Sequence, residues 1–183
     1  VTDYSFYGVL EQDLVNLVNG GSRWYGDLFD SELSRTYTFN IPDVITSTPV
    51  SFEVSIASNV NNSSGTSQNY SVNGDLLFSQ SLPSVVDYGR STVSFADSTP
   101  STIMPLNINI VRNSPDVLTY LDKITMNARR SLRFYGTQMQ FADLNSVGIG
   151  NVADYTISNF PSNGFVFEVT DRHQPWLLNG TLT

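Results

Sequence analysis

The sequence offers little side-chain chemistry for catalysis. It contains no cysteine and a single histidine, His173. A Cys–His dyad is therefore impossible within these residues, and a Ser–His–Asp triad would have to use His173. The sequence also lacks the Gly-x-Ser-x-Gly motif that presents a nucleophilic serine at a sharp turn. We expect no catalytic residues in this chain, and we interpret His173 as a solvated loop residue.

Carboxylates are the other chemistry that the composition allows. Two acids about 5–10 Å apart can hydrolyse a glycoside, but with 17 Asp and Glu residues pairs arise by chance and the sequence singles none out. Zinc needs three or four His, Cys or carboxylate ligands, which one histidine argues against. Residues 59–65 and 97–99 are rich in oxygen ligands but lack the spacing of a calcium loop. We therefore expect polar loops there, and neither a metal site nor a cofactor.

The most unusual cluster is Arg23-Trp24-Tyr25. As a binding site, it would let an aromatic ring stack on a sugar or a partner chain while Arg23 pairs with a carboxylate. As a structural feature, Trp24 would pack over an edge of the fold while Arg23 bridges a buried acid. We favour the structural interpretation and keep the binding role as an alternative. Trp176 presents a similar choice between an exposed aromatic residue and a plug against a following domain.

Three arginines, Arg129, Arg130 and Arg133, crowd one short stretch. They could bind an anionic glycan or a carboxylate. In an acidic protein we expect them instead to neutralise neighbouring Asp and Glu residues, a cross-strand effect of about 0.2–1 kcal/mol per pair.

The overall charge excludes some partners. The net charge is −8, only 14% of the residues are charged, and Lys123 is the single lysine. A nucleic-acid partner would need a basic face, and an anionic membrane surface would repel this chain. The abundance of Ser, Thr and Asn favours an extracytoplasmic bacterial protein.

The sequence has no run approaching 18 apolar residues, so we predict no membrane span. It begins at Val1 without an initiator methionine, and its first residues do not resemble a signal peptide. We therefore expect either a piece of a longer polypeptide or a mature chain.

Alternation of apolar and polar residues is the dominant pattern. It is clearest in four stretches, with apolar members Tyr37, Phe39 and Ile41; Val50, Phe52, Val54 and Ile56; Met104, Leu106, Ile108 and Ile110; and Phe165, Phe167 and Val169. Successive side chains of a strand point to opposite faces. The pattern therefore predicts strands with one buried and one solvated face, as in antiparallel sheets.

Turn residues agree with a β protein. Asn73-Gly74 separates two strand-like runs and predicts a hairpin. Helical periodicity is weak: residues 11–18 could hold one or two turns, and residues 117–120 another. Residues 121–135 are longer than an ordinary strand, and we interpret them as one bent strand or as two strands with a bulge, with a helix as the alternative.

These elements predict an all-β fold. A chain of 183 residues is typical of one domain, and we expect a single domain over 1–183. Roughly ten short strands suggest an antiparallel two-sheet sandwich, jelly-roll-like in its connections. Residues 1–32 look less regular and are expected to form an arm or a lead-in strand.

Several stretches together resemble the PorU family, the sortases of type IX secretion. Residues 20–30 read Gly-Gly-Ser-Arg-Trp-Tyr-Gly-Asp-Leu-Phe-Asp and resemble that family's Gly-Glu-Arg-Trp-Phe-Gly-Glu signature. Residues 167–171 read Phe-Glu-Val-Thr-Asp and resemble the Trp-Asp-Val-Thr-Asp-Pro segment that closes the domain before the gingipain-type cysteine peptidase domain. Between these lie further similar stretches in the same order: 37–42, 49–54, 121–124, 129–132 and 139–141.

The resemblance implies a non-catalytic β-sandwich domain of a surface peptidase, located at the outer membrane of a Bacteroidetes-type bacterium. In that family the catalytic Cys and His lie downstream of this region. The implied partners are the downstream peptidase domain and, beyond it, secreted cargo or other secretion proteins. The residues that the resemblance and the composition mark for contact are Arg23, Trp24, Tyr25, Asp171 and Trp176.

The sequence is also consistent with two other functions. A carbohydrate-binding module of jelly-roll type predicts two or three exposed, coplanar aromatic residues. An adhesin-like surface domain predicts no small ligand.

Overall fold

The computed structural model describes residues 1–17, 20, 22–59, 66–82, 88–112 and 114–180. These ranges contain strands, turns and irregular segments, and no helix. Within them lie β1 (Asp3–Glu11), β2 (Leu28–Phe29), β3 (Ser34–Asn40), β4 (Val50–Ser58), β5 (Ser67–Val72), β6 (Asp75–Ser81), β7 (Gly89–Asp97), β8 (Ile103–Val111), β9 (Thr119–Ser131), β10 (Val166–Glu168) and β11 (Trp176–Leu178).

The strands form two main antiparallel sheets. The first sheet has the order β1-β9-β4-β7, with β2 also paired to β9, and the second has the order β3-β8-β5-β6. From β3 to β9 the chain alternates between the sheets, except at the β5–β6 hairpin. The predicted all-β, two-sheet sandwich is confirmed.

The core lies between the two sheets. The apolar members of the alternating stretches in β3, β4 and β8 are at most 9% exposed, as their period of two predicts. Aromatic rings tie the sheets together: the ring centroid of Phe39 lies 5.8 Å from that of Phe52, and the centroid of Tyr70 lies 5.3 Å from that of Phe95. Each pair joins a strand of the second sheet to a strand of the first.

The β5–β6 connection is the hairpin that Asn73-Gly74 predicts. Both residues have positive φ, 53° at Asn73 and 93° at Gly74. Asn tolerates this backbone region and Gly adopts it without steric cost, whereas a Cβ at Gly74 would be strained.

β9 is the predicted long strand, and it carries a bulge. Against β4, Lys123 faces Ser55 and Leu121 faces Ile56, so Asp122 is the extra residue. β9 pairs with β4 along one edge and with both β1 and β2 along the other. This pairing rejects the helical alternative for the segment.

The predicted helical turns do not form. Glu11 ends β1, and Val15 instead pairs with Tyr25 through backbone hydrogen bonds of 2.8 and 3.0 Å. Thr119 already belongs to β9. Spacing over a single turn is too short to distinguish a helix from a pairing with a distant segment; Val18 lies outside the described residues.

After β9 the described part of the chain forms only the short strands β10 and β11. Its first part packs along the edge of the sandwich formed by β1. Arg129 forms ion pairs with Asp3 and with Asp143, the latter at 2.5 Å. The nitrogen of Ser5 in β1 donates to the carbonyl of Ala142 at 2.8 Å. These contacts fasten the following segment to the edge strand β1.

Within the described ranges, there is no helix with the length and apolarity needed to cross a bilayer.

Replacing Gly74 by alanine tests the hairpin. A Cβ at a φ of 93° is strained, and the expected loss of folding free energy is about 1–2 kcal/mol. Urea unfolding monitored by circular dichroism measures it. Gly180→Ala is the matched control, since a Cβ there also meets nothing within 4 Å but the backbone does not have the positive φ of Gly74. Equal stabilities of the two variants would contradict the assigned turn.

Acidification tests the Arg129–Asp143 pair. Burial raises the pKa of Asp143, but hydrogen bonds from Arg129 and the Asn145 nitrogen outweigh it, so the pKa lies below its ordinary value. A lowered pKa means that the ion pair stabilises the fold above the unfolded-state pKa of about 4, and that this contribution is lost as the pH falls through the folded-state pKa.

Asp143→Asn is therefore expected to lower the urea midpoint at pH 7 and to lower it less at pH 3, which lies below the unfolded-state pKa of about 4. Asp75→Asn, which alters an exposed carboxylate, is the control and is expected to have little effect at either pH. A constant difference between wild type and Asp143→Asn at both pH values would refute the role of this ion pair.

Candidate functional site

The Arg23-Trp24-Tyr25 segment runs between β1 and β2, and its backbone is fixed. Tyr25 exchanges hydrogen bonds with Val15, and the nitrogen of Gly26 donates to the carbonyl of Leu121 at 2.7 Å. Because consecutive side chains then point in opposite directions, Tyr25 is buried and Trp24 faces outward.

Arg23 bridges a buried acid. Its Nη2 lies 2.6 Å from Oδ2 of Asp122, whose side chain is 5% exposed, while the side chain of Arg23 is 48% exposed. The hydrogen bond to Asp122 raises the pKa of the Arg23 guanidinium. The bulge in β9 places Asp122 where Arg23 can reach it, so this half of the structural interpretation holds.

Asp27 anchors the other end of the same segment to the second sheet. It accepts a hydrogen bond from the Tyr37 hydroxyl at 2.9 Å and pairs with Arg35 at 3.3 Å. Gly26 lies between these anchors, where a Cβ would come within 3.2 Å of the carbonyl oxygen of Gln12. Residues 23–27 therefore form a clasp, with Arg23 held by β9 of the first sheet and Asp27 held by β3 of the second.

Trp24 is 45% exposed, so it is only partly packed against the fold. Tyr25 is 6% exposed, and its ring lies near Tyr120, which in turn contacts Tyr88. Burial raises the pKa of Tyr25. Of the three side chains, those of Trp24 and Arg23 are exposed enough to contact a partner molecule, whereas Tyr25 is buried and packs within the fold.

The carboxyl-terminal strands form a separate exposed feature. β10 and β11 pair with each other, with Glu168 opposite Trp176, and within the described ranges they join neither main sheet. The expectation that Phe165, Phe167 and Val169 would form a buried face is wrong: they are 43–73% exposed. Alternation is present, but in the described structure no second layer covers this hairpin.

We call this feature the terminal hairpin, residues 165–178. Its exposed apolar side chains are Phe165, Phe167, Val169, Trp176, Leu177 and Leu178. Monomeric soluble proteins seldom expose so many large apolar groups together, and such patches mark contact surfaces.

A cavity of about 1020 Å³ adjoins the terminal hairpin. It opens between residues 134–141 and 157–175, and its apolar lining includes Phe134, Met139, Phe160 and Phe167. The hairpin is therefore one wall of a larger aromatic surface.

Asp171 and His173 lie in the turn of the terminal hairpin. Oδ1 of Asp171 accepts a hydrogen bond from the His173 nitrogen at 2.9 Å, which is the geometry of an Asx turn. Both residues are exposed. Asp171 thus shapes the turn that brings Trp176 opposite Glu168.

The three clustered arginines behave differently. Arg129 pairs with Asp3 and Asp143, and Arg133 lies 3.7 Å from Asp43. Arg130 departs from the expectation, because it is buried among aromatic rings and forms no ion pair with any carboxylate in the described part of the chain.

The oxygen-rich loops are engaged in ordinary hydrogen bonds. Oδ1 of Asp97 accepts from the nitrogen and the hydroxyl of Thr99 at 2.8 and 2.7 Å. Oδ1 of Asn59 accepts from the Leu118 nitrogen, and residues 60–65 lie outside the described ranges. The described residues contain no group of three His, Cys, Asp or Glu positioned to hold a metal ion.

Comparisons with known proteins identify the fold. No protein-family model matches the sequence, and no curated protein matches it. A solved structure of dimeric latent PorU from Porphyromonas gingivalis matches all of this chain, with a TM-score of 0.83 and 20% identity. The chain shares the fold of part of PorU.

The matched region is a small part of that protein, since this chain covers 18% of the PorU chain. A CBM36-1 domain of a multidomain xylanase from the hindgut metagenome of Trinervitermes trinervoides matches 66% of this chain, with a TM-score of 0.43 and 8% identity. The match to PorU extends over the whole chain.

Arg23→Gln tests the clasp. Without its guanidinium, the buried Asp122 loses its charged partner. Because Arg23 is half exposed, water compensates in part, and we expect a loss of about 1–2 kcal/mol of folding free energy. Arg133→Gln removes the longer, exposed pair with Asp43 and serves as control, with an expected loss below about 0.5 kcal/mol. Urea unfolding of both variants measures these losses. If the loss of folding free energy for Arg23→Gln is no larger than that for Arg133→Gln, the stabilising role of the clasp is contradicted.

Proposed function

We propose that this chain is a non-catalytic accessory domain of a sortase-like, gingipain-type cysteine peptidase of a type IX secretion system. The observation that carries the proposal is the match over the whole chain to a region that makes up only 18% of PorU. The chain has no cysteine and therefore no thiol nucleophile of its own. In this proposal the peptidase chemistry belongs to another domain of the same polypeptide.

The sequence resemblance supports the same proposal through residues that the fold uses. Two of the similar stretches, 20–30 and 121–124, are joined by the Arg23–Asp122 ion pair. A third, 37–42, meets the clasp where Tyr37 donates to Asp27. Segments far apart in sequence therefore resemble PorU at positions that hold the two sheets together.

The terminal hairpin supplies the surface for positioning the peptidase domain. Trp176 is 66% exposed and Phe167 is 53% exposed, so burying them would release a large apolar area from water. We propose that the downstream peptidase domain packs on this hairpin and on the cavity beside it. The chain then acts as a rigid support at the cell surface, and secreted cargo or other secretion proteins are further partners.

Hydrogen exchange tests the docking surface. In the full-length polypeptide, amides of residues 165–178 are expected to exchange at least about tenfold more slowly than in the chain 1–183, because a packed domain excludes water from them. The internal control is the loop 144–152, where Val147 and Ile149 are also exposed but are not assigned to the interface. Protection should be confined to the hairpin.

The double variant Phe167→Ser/Trp176→Ser in the full-length polypeptide is expected to abolish that protection while leaving the exchange of β4 and β9 unchanged. Val147→Ser/Val152→Ser is the matched control and is expected to preserve it. Equal exchange of the hairpin in the isolated chain and the full-length polypeptide would rule the docking surface out.

A carbohydrate-binding role remains the second candidate because Trp24 and Trp176 are both exposed. Affinity electrophoresis in gels containing a neutral polysaccharide separates the two functions. Retardation that disappears in Trp24→Ala would favour carbohydrate binding, whereas unchanged mobility of wild type favours the accessory role.

A further inference from the structure

Arg130 is a buried cation whose hydrogen bonding is incomplete. It is 1% exposed, its Nε donates to the carbonyl of Pro42 at 2.5 Å, and its Nη1 donates to the Tyr135 hydroxyl at 2.9 Å. Its Nη2 is buried and has no hydrogen-bond partner within bonding distance among the described residues. Within the described ranges, no carboxylate is paired with this guanidinium.

Aromatic rings surround the charge without neutralising it. The guanidinium carbon lies 4.7 Å from the ring centroids of Phe6 and Tyr135 and 5.7 Å from that of Tyr4. Ring faces attract a cation, but they do not accept the in-plane hydrogen bonds of Nη2. Because arginine keeps its proton in proteins, this buried charge calls for an anionic acceptor.

Two hydroxyl groups lie beside the guanidinium. Burial raises the pKa of Tyr4 to about 12; the nearby Tyr135 hydroxyl adds to this effect and Arg130 opposes it. The Tyr4 hydroxyl therefore keeps its proton at neutral pH and can donate it to an acceptor. Together with Nη2, the tyrosine hydroxyls provide donors of the kind that hold an oxyanion.

Tyr135 is placed to cover this cluster. It is 45% exposed although its ring contacts the buried guanidinium, so it separates Arg130 from solvent.

We propose that Arg130, with the hydroxyls of Tyr4 and Tyr135, forms a covered binding site for an oxyanion, and that Tyr135 is its cover. The same chemistry suits the carboxylate of a polypeptide and a free phosphate. This site lies apart from the terminal hairpin residues assigned to docking, and it does not depend on the proposed function.

Thermal unfolding at constant pH and ionic strength tests the site, with sodium chloride replaced by sodium acetate or by sodium phosphate. Binding to the folded state raises the unfolding midpoint saturably, by roughly 2–4 °C at anion concentrations well above the dissociation constant. Non-specific salt effects act on all variants alike, so the readout is the difference between wild type and variants.

Arg130→Gln and Tyr135→Phe are expected to lose most of the anion-dependent rise. Tyr135→Phe keeps the ring and removes only the hydroxyl, so it should fold even where Arg130→Gln does not. Arg133→Gln, which changes an exposed arginine nearby, is the matched control and should respond like wild type.

A larger rise with acetate would identify a carboxylate as the ligand class, and a larger rise with phosphate would identify a phosphate. A rise of equal size in wild type, Tyr135→Phe and Arg133→Gln would overturn the site, as would the absence of a saturable rise with either anion.

Discussion

Residues 23–27 connect the two sheets by charge. Arg23 reaches Asp122 in the bulge of β9, and Asp27 reaches Tyr37 and Arg35 in β3. The hydrophobic driving force for burying the core is non-directional, whereas these hydrogen bonds require one relative placement of the groups that form them. The clasp therefore defines how β9 and β3 face each other, and with them the core that both sheets share.

The bulge and the clasp depend on each other. Asp122 is buried, and a buried carboxylate without a partner destabilises the fold. The bulge can therefore bury Asp122 because Arg23 pairs with it. Arg23 arrives because Tyr25 pairs with Val15 and because Gly26 allows the chain to approach Gln12 and Leu121 closely. A Cβ at position 26 would come within 3.2 Å of the carbonyl oxygen of Gln12, so a larger residue there would require the backbone beside the clasp to shift.

Sequence patterns predict local order better than long-range pairing. Alternation identified the buried faces of β3, β4 and β8, and Asn73-Gly74 identified the hairpin, because each signal lies within one short stretch. The partner of Arg23 lies 99 residues away, and no local pattern names it. Phe165 and Phe167 alternate just as the core residues do, yet alternation does not reveal whether a second layer exists to cover them.

The contrast between Arg129 and Arg130 shows what a difference of one position does on a strand. Arg129 points to the outer face of the first sheet and is compensated by Asp3 and Asp143. Arg130 points inward, where Tyr4, Phe6 and Tyr135 surround it. A neutral apolar residue could fill that position without the desolvation penalty of a buried charge. Replacing buried charged groups by apolar residues often leaves the folding free energy unchanged or improves it. A guanidinium buried there, whose Nη2 has no hydrogen-bond partner among the described residues, is better explained by an anion that it binds than by packing alone.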